Sequence, residues 1–103
     1  MLVVLISVLE LPIGGLLFAQ GGTDSKLYIV VSGILQISEK AGPSGERTVG
    51  FIGAGDYVGE VSLLTGAPYA GSGHSPQPLQ ALRARMQGYK AVAGSEFRPD
   101  RRI

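Results

Sequence analysis

The 103-residue chain is 45% apolar, 17% charged and 7% aromatic, which suits one small domain and is too short for two. It has no Cys, which excludes disulfides, thiolate metal sites and a cysteine nucleophile, and its single His excludes a multi-histidine site. The formal charge of +1 hides two unlike parts: residues 1–70 hold three basic groups against six acidic, and residues 71–103 hold six against two. Sixteen Gly and six Pro predict many tight turns, as in an all-β domain, or a partly unstructured segment.

The run MLVVLISVL at 1–9 is closed by Glu10 and Pro12, well short of the about 20 apolar residues that span a bilayer. It lacks the basic opening of a secretory signal, and its β-branched Val3, Val4, Ile6 and Val8 predict a buried strand. Further short apolar segments follow at 16–19, 27–31, 34–38, 48–52 and 57–58, separated by Gly-rich turns. This rhythm predicts a β sandwich or roll. Residues 34–38 alternate so that Leu35 and Ile37 share one face, and AGPSGE at 41–46 reads as a hairpin loop. One segment breaks the pattern. Glu60 to Gly66 has helical spacing at Val61 and Leu64 and ends in a Gly, so it predicts one or two helical turns held by the sheet. The opening of that helix after Gly59 would present unpaired amides, the local chemistry of an anion pocket.

Three strings carry a resemblance: GGLLFAQGG at 14–22, LYIVVSG at 27–33 and GDYVGEVSLLTGAP at 55–68. Together, in this order, they resemble the cyclic-nucleotide-binding domain of catabolite-activator-type transcription factors, kinase regulatory subunits and some ion channels. The resemblance covers residues 10–70. It implies a mainly β fold, a partial double-stranded, jelly-roll-like β-roll with one short helix, whose phosphate-binding cassette lies between Gly59 and Ala70. In that family the carboxylate of the Gly-Glu pair, here Gly59-Glu60, accepts from the ribose 2′-hydroxyl, and the glycine closely approaches the sugar. The following amides, here of Val61, Ser62 and Leu63, face the cyclic phosphate. The plainer reading makes Glu60 a first-turn acid on the helix dipole and Gly59 a turn residue.

The family's cassette places an Arg after the Pro, usually followed by Ser or Thr; here those positions are Tyr69 and Ala70. A charge-assisted hydrogen bond to an ion contributes roughly 1.5 to 3 kcal/mol, or one to two decades of affinity, so weak or lost binding of cyclic AMP or cyclic GMP is expected. Tyr69 is left as a neutral hydrogen-bond donor to a ligand, or as a ring filling the pocket in its place.

The resemblance stops at Ala70, and residues 71–103 read as a basic Gly, Ser, Pro and Arg-rich tail, irregular or weakly helical. An amphipathic helix is one reading, with Leu79, Leu82, Met86, Tyr89 and Ala93 on one face and Ser75 as its cap. A basic nucleic-acid-binding or membrane-binding tail is the second; its charges are dispersed, and no direct nucleic-acid contact is predicted. A reading-frame shift after the Ala70 codon is the third: with suitable codons it yields AAAVTALN, which places Val-x-Ala where the family expects it and leaves the tail without an evolved function. On this reading the chain is a fragment lacking strands and its effector domain, with uncovered sheet edges that favour self-association. His74 reads as an exposed loop residue, Asp24 and Asp56 as turn residues, and the Gly-x-Gly at 53–55 lacks the βαβ unit of a dinucleotide site. The expectation is a non-enzymatic, cytoplasmic regulatory module with no metal and no cofactor beyond a cyclic nucleotide. The alternative is a structural or interaction roll that binds none.

Overall fold

Eight strands and one short α-helix account for most of residues 3–87, the part of the chain described by the computed structural model. In chain order they are β1 (Val3–Leu11), β2 (Leu16–Phe18), β3 (Leu27–Ser32), β4 (Leu35–Lys40), β5 (Glu46–Ile52), β6 (Tyr57–Val58), α1 (Glu60–Thr65), β7 (Ser72–His74) and β8 (Leu79–Gln87). They form two four-stranded antiparallel sheets, ordered β1-β8-β3-β6 and β2-β7-β4-β5. The mainly β roll with its cassette helix is therefore present. The AGPSGE loop is a hairpin, a short 3-10 turn over Gly42–Ser44 that brings Lys40 opposite Glu46.

The strands do not stop at Ala70. β7 and β8 occupy residues that the sequence assigns to an irregular or helical tail, and β8 is the strand between β1 and β3. Leu79, Leu82 and Met86, spaced as one face of a helix, lie on this strand; Tyr89 and Ala93 lie outside the described residues. The reason is tertiary. A nine-residue helix is marginal in water, whereas β1 and β3 offer two open ladders, and every residue of β8 pairs with β1 from Val3↔Gln87 to Leu11↔Leu79. The chain as written supplies these strands, so over 71–87 no shifted reading frame is needed to provide them. Ser75 caps no helix. It is fully buried, its hydroxyl donates to the Pro12 carbonyl at 2.7 Å, and its backbone pairs with Gly14 and Gly15, pinning the β1–β2 turn to the β7–β8 turn. His74 is a strand residue opposite Leu16 and Gln36, half-buried rather than in an exposed loop.

The core lies between the sheets: Phe18, Tyr28, Val30, Leu35, Tyr69, Leu79 and Ala81. Phe18 stacks on Tyr28 at 5.7 Å between centroids and meets Tyr69 at 4.7 Å, an arrangement that adds to the area these rings bury. Gly73 in β7 makes this possible, because a Cβ there would sit 2.6 Å from the Phe18 ring.

β1 is not the buried strand that its composition predicts. Its odd positions, with Leu9 and Leu11, face the core, while Val4, Ile6 and Val8 stand 51%, 65% and 62% exposed. Cross-strand register continues this outer face through Leu82 and Ile29 to Tyr57, and through Ala84 to Leu27. The result is an apolar sheet face ended by the polar row Glu10, Gln80 and Ser32.

Candidate functional site

The segment from Gly53 to Ala70 begins by pairing along the edge of β3 away from β8. The Val30 amide donates to the Asp56 carbonyl and the Gly55 amide to the Val30 carbonyl, and β6 pairs Val58 with Tyr28. Asp56 thus serves a turn, as its sequence context predicts, while Asp24 makes an ion pair with Lys26 at 3.4 Å. Gly59 then turns the chain into α1 with φ 97°, a left-handed conformation, at a point where any Cβ would strike the Lys26 carbonyl oxygen. Its glycine is thus required by the packing of the cassette on β3. The Leu63 amide donates to the Gly59 carbonyl at 2.9 Å, and Gly66, φ 78°, closes the helix through its amide to Ser62. Thr65 adds a hydroxyl bond to the Val61 carbonyl at 2.7 Å, and accepts from the Ala67 amide.

Between α1 and the β2 and β4 strands lies a cavity of about 410 Å³. Of the residues expected at the site, Gly59, Glu60, Val61, Ser62, Tyr69 and Ala70 line it. Leu63 does not, and its amide is spent inside the helix, which corrects the expectation that it faces a ligand. The remaining wall is Phe18, Ile37, Tyr57, Val58, Pro68 and Gly71. Sequence reading missed these residues, although the alternation that puts Ile37 beside Leu35 already marked it as inward.

Tyr69 occupies neither role foreseen for it. Its hydroxyl accepts from the Lys26 amide at 2.8 Å and donates to the Lys26 carbonyl at 2.9 Å, standing in for a strand neighbour just before β3. Its backbone pairs with Gly21 and Gly22, and its ring is 5% exposed against Phe18. Burial pushes the phenol well above its ordinary value, outweighing the hydrogen bond to the Lys26 backbone, and burial raises Tyr28 as well. The hydroxyl's one proton is committed to the Lys26 carbonyl, so it is not free to donate to a ligand, and the ring is a wall of the cavity.

Ser62 is the polar group inside. It is 4% exposed, lines the cavity, and its hydroxyl has no partner among the described residues. Buried hydroxyls are rarely left unpaired, and one that opens on a cavity is the pattern of a group awaiting a ligand. Glu60, exposed, is the only charged side chain in the lining among the described residues. Lys26, Arg83 and Arg85 instead line a separate cavity of about 350 Å³ with Leu5, Ile6 and Ser7.

The sequence model of the cyclic nucleotide-binding domain matches residues 8–93. The chain is 29% identical over 73 residues to the CRP-like cAMP-activated global transcriptional regulator of Mycobacterium tuberculosis, covering 71% of this chain and 33% of that protein. It is 39% identical over 57 residues to the cAMP-dependent protein kinase regulatory subunit of Mycosarcoma maydis, covering 55% of this chain and 11% of that protein. The chain therefore spans a third or less of the curated relatives it matches. Among solved structures, the Thermus thermophilus catabolite activator protein superposes with a TM-score of 0.71 at 29% identity, over 78% of this chain and 37% of that one.

Proposed function

Since the chain belongs to the cyclic nucleotide-binding domain family, we propose that it is a regulatory rather than catalytic module, whose cavity beneath α1 binds cyclic AMP and cyclic GMP weakly or not at all. Occupancy of the cavity would act on an effector outside this chain, as expected of a domain that makes up a third or less of its relatives. Family membership supports the regulatory reading; the weak binding is carried by one observation. Among the described residues no Lys, Arg or His lines the cavity, and the residue in the family's arginine position is locked onto the Lys26 backbone. A cyclic phosphate entering here would exchange its hydration for an apolar wall and a neighbouring carboxylate, with no cation to offset the loss. Calorimetric titration with each cyclic nucleotide tests this. We expect no saturation at ligand concentrations below about 100 μM, one to two decades from a micromolar site. A micromolar or tighter Kd overturns the reading.

A further inference from the structure

The second cavity, of about 350 Å³, is lined by Leu5, Ile6, Ser7, Lys26, Arg83 and Arg85. Strand geometry gathers its charges. Side chains alternate along β8, so Arg83 and Arg85 share the inner face with Leu79 and Ala81 and lie just past the end of the core. Register sets Arg83 between Ser7 of β1 and Tyr28 of β3, and Arg85 beside Leu5. Leu27 pairs with Ala84, so Lys26, the residue before it, comes level with Arg85. From this juxtaposition we infer that the cavity is an anion site, separate from the cassette, that takes a compact ligand bearing a pyrophosphate or two closely spaced phosphate groups.

Cations set level with one another on a sheet repel, so the arrangement costs the free protein and is relieved by an anion held between them. Asp24, 3.4 Å from the Lys26 ammonium, offsets one of these charges and leaves the two guanidiniums. They stand two residues apart on one strand face, roughly 7 Å, a gap that the terminal oxygens of a pyrophosphate bridge better than a single carboxylate does. Each guanidinium is a planar fork of donors matched to phosphate oxygens. Arg83 is already oriented, since its Nε donates to the Ser7 hydroxyl at 3.3 Å, while Arg85 is exposed to an incoming ligand. Leu5 and Ile6 form an apolar border, and the volume lies in the range of small-molecule pockets. The two cavities share no lining residue, so this site stands apart from the proposed function.

Inorganic pyrophosphate, which has neither sugar nor base, is the probe, titrated calorimetrically against the full chain at about 0.15 M salt. ADP, which carries the same group on a nucleoside, is the second arm, and adenosine the third. Saturable binding with a Kd below about 1 mM is expected for pyrophosphate and ADP, and none for adenosine. Arg85→Gln should weaken pyrophosphate at least about ten-fold while the melting temperature of the free chain stays level or rises. Arg47→Gln removes an equal charge from the Glu39 ion pair in the other sheet, and should change the Kd by less than about two-fold. The same small change is expected when Arg101 and Arg102, at the basic end of the sequence, are both replaced by Gln. No saturation by about 1 mM pyrophosphate overturns the inference, as does binding that Arg85→Gln leaves intact or that Arg47→Gln weakens equally. Adenosine binding as tight as ADP also overturns it, since the nucleoside and not the phosphate would then be recognised. Any of these failures leaves the reading of the cassette cavity standing; micromolar cyclic AMP binding unaltered by Arg85→Gln overturns that reading and leaves this one.

Discussion

Tyr69 shows how one side chain can wall a cavity while its hydroxyl serves the framework. The loss of a cation at this position is plain in the sequence, but the new role of the residue is not, because the Lys26 backbone that holds it lies 43 positions away. Tyr69→Phe keeps the ring against Phe18 and removes both hydrogen bonds, leaving a part-buried amide and carbonyl without their partner. We expect a loss of roughly 1 to 3 kcal/mol, read as a drop of about 5 °C or more in thermal unfolding. The phenol also sets a pH dependence. Its pKa is raised in the folded state, so its contribution is complete below about pH 10 and is lost as pH rises further, when the unfolded chain ionises first. Melting curves between pH 8 and 11 should show a steeper alkaline decline in the parent than in Tyr69→Phe. Equal slopes would remove this role. Gly59 and Glu60 were readable as a pair from the sequence, whereas the burial of Ser62 was not, since a serine in a short helix is as often solvated as enclosed.

Among the elements, β7 and β8 separate what local pattern states from what packing decides. The first seventy residues announce their strands through alternation and glycine punctuation, and the short helix through Val61, Leu64 and Gly66. Beyond Ala70, the composition is turn-rich, and the spacing of Leu79, Leu82 and Met86 fits a helix as well as a strand. β1 and β3 resolve the ambiguity by supplying hydrogen-bond partners on both sides of β8, and Leu79 and Ala81 enter the core from it. A chain ending at Ala70 should then lose cooperative unfolding, because β1 would have no neighbour in its sheet. A sharp thermal transition in the 1–70 chain would contradict the central place of β8. Gly73→Ala tests the smaller partner: a methyl group 2.6 Å from the Phe18 ring should cost about 1 to 3 kcal/mol in chemical denaturation.

At the scale of the whole molecule, the two faces of the β1-β8-β3-β6 sheet serve different ends. The inner face closes the core; the outer face carries Val4, Ile6, Val8 and Tyr57 more than half exposed, with β1 at the edge of the sheet among the described residues. Clustered exposed apolar side chains beside a strand at the end of a sheet favour association. The isolated chain is expected to show concentration-dependent dimerisation in sedimentation velocity, reduced by Ile6→Lys on the outer face; a monomer at all concentrations would refute it. No helix among the described residues is long and apolar enough to cross a membrane, in keeping with the shortness of the opening apolar run. The sequence by itself determined the roll, the place of the cassette and the loss of its cation, because alternation, turn glycines and a short motif act over neighbouring residues. Only the tertiary structure decided that β8 is a strand, that Tyr69 belongs to the framework, and that Ser62 is buried against a cavity. Each of these depends on backbone groups and walls brought from distant parts of the chain, whose hydrogen-bonding demands no local pattern records.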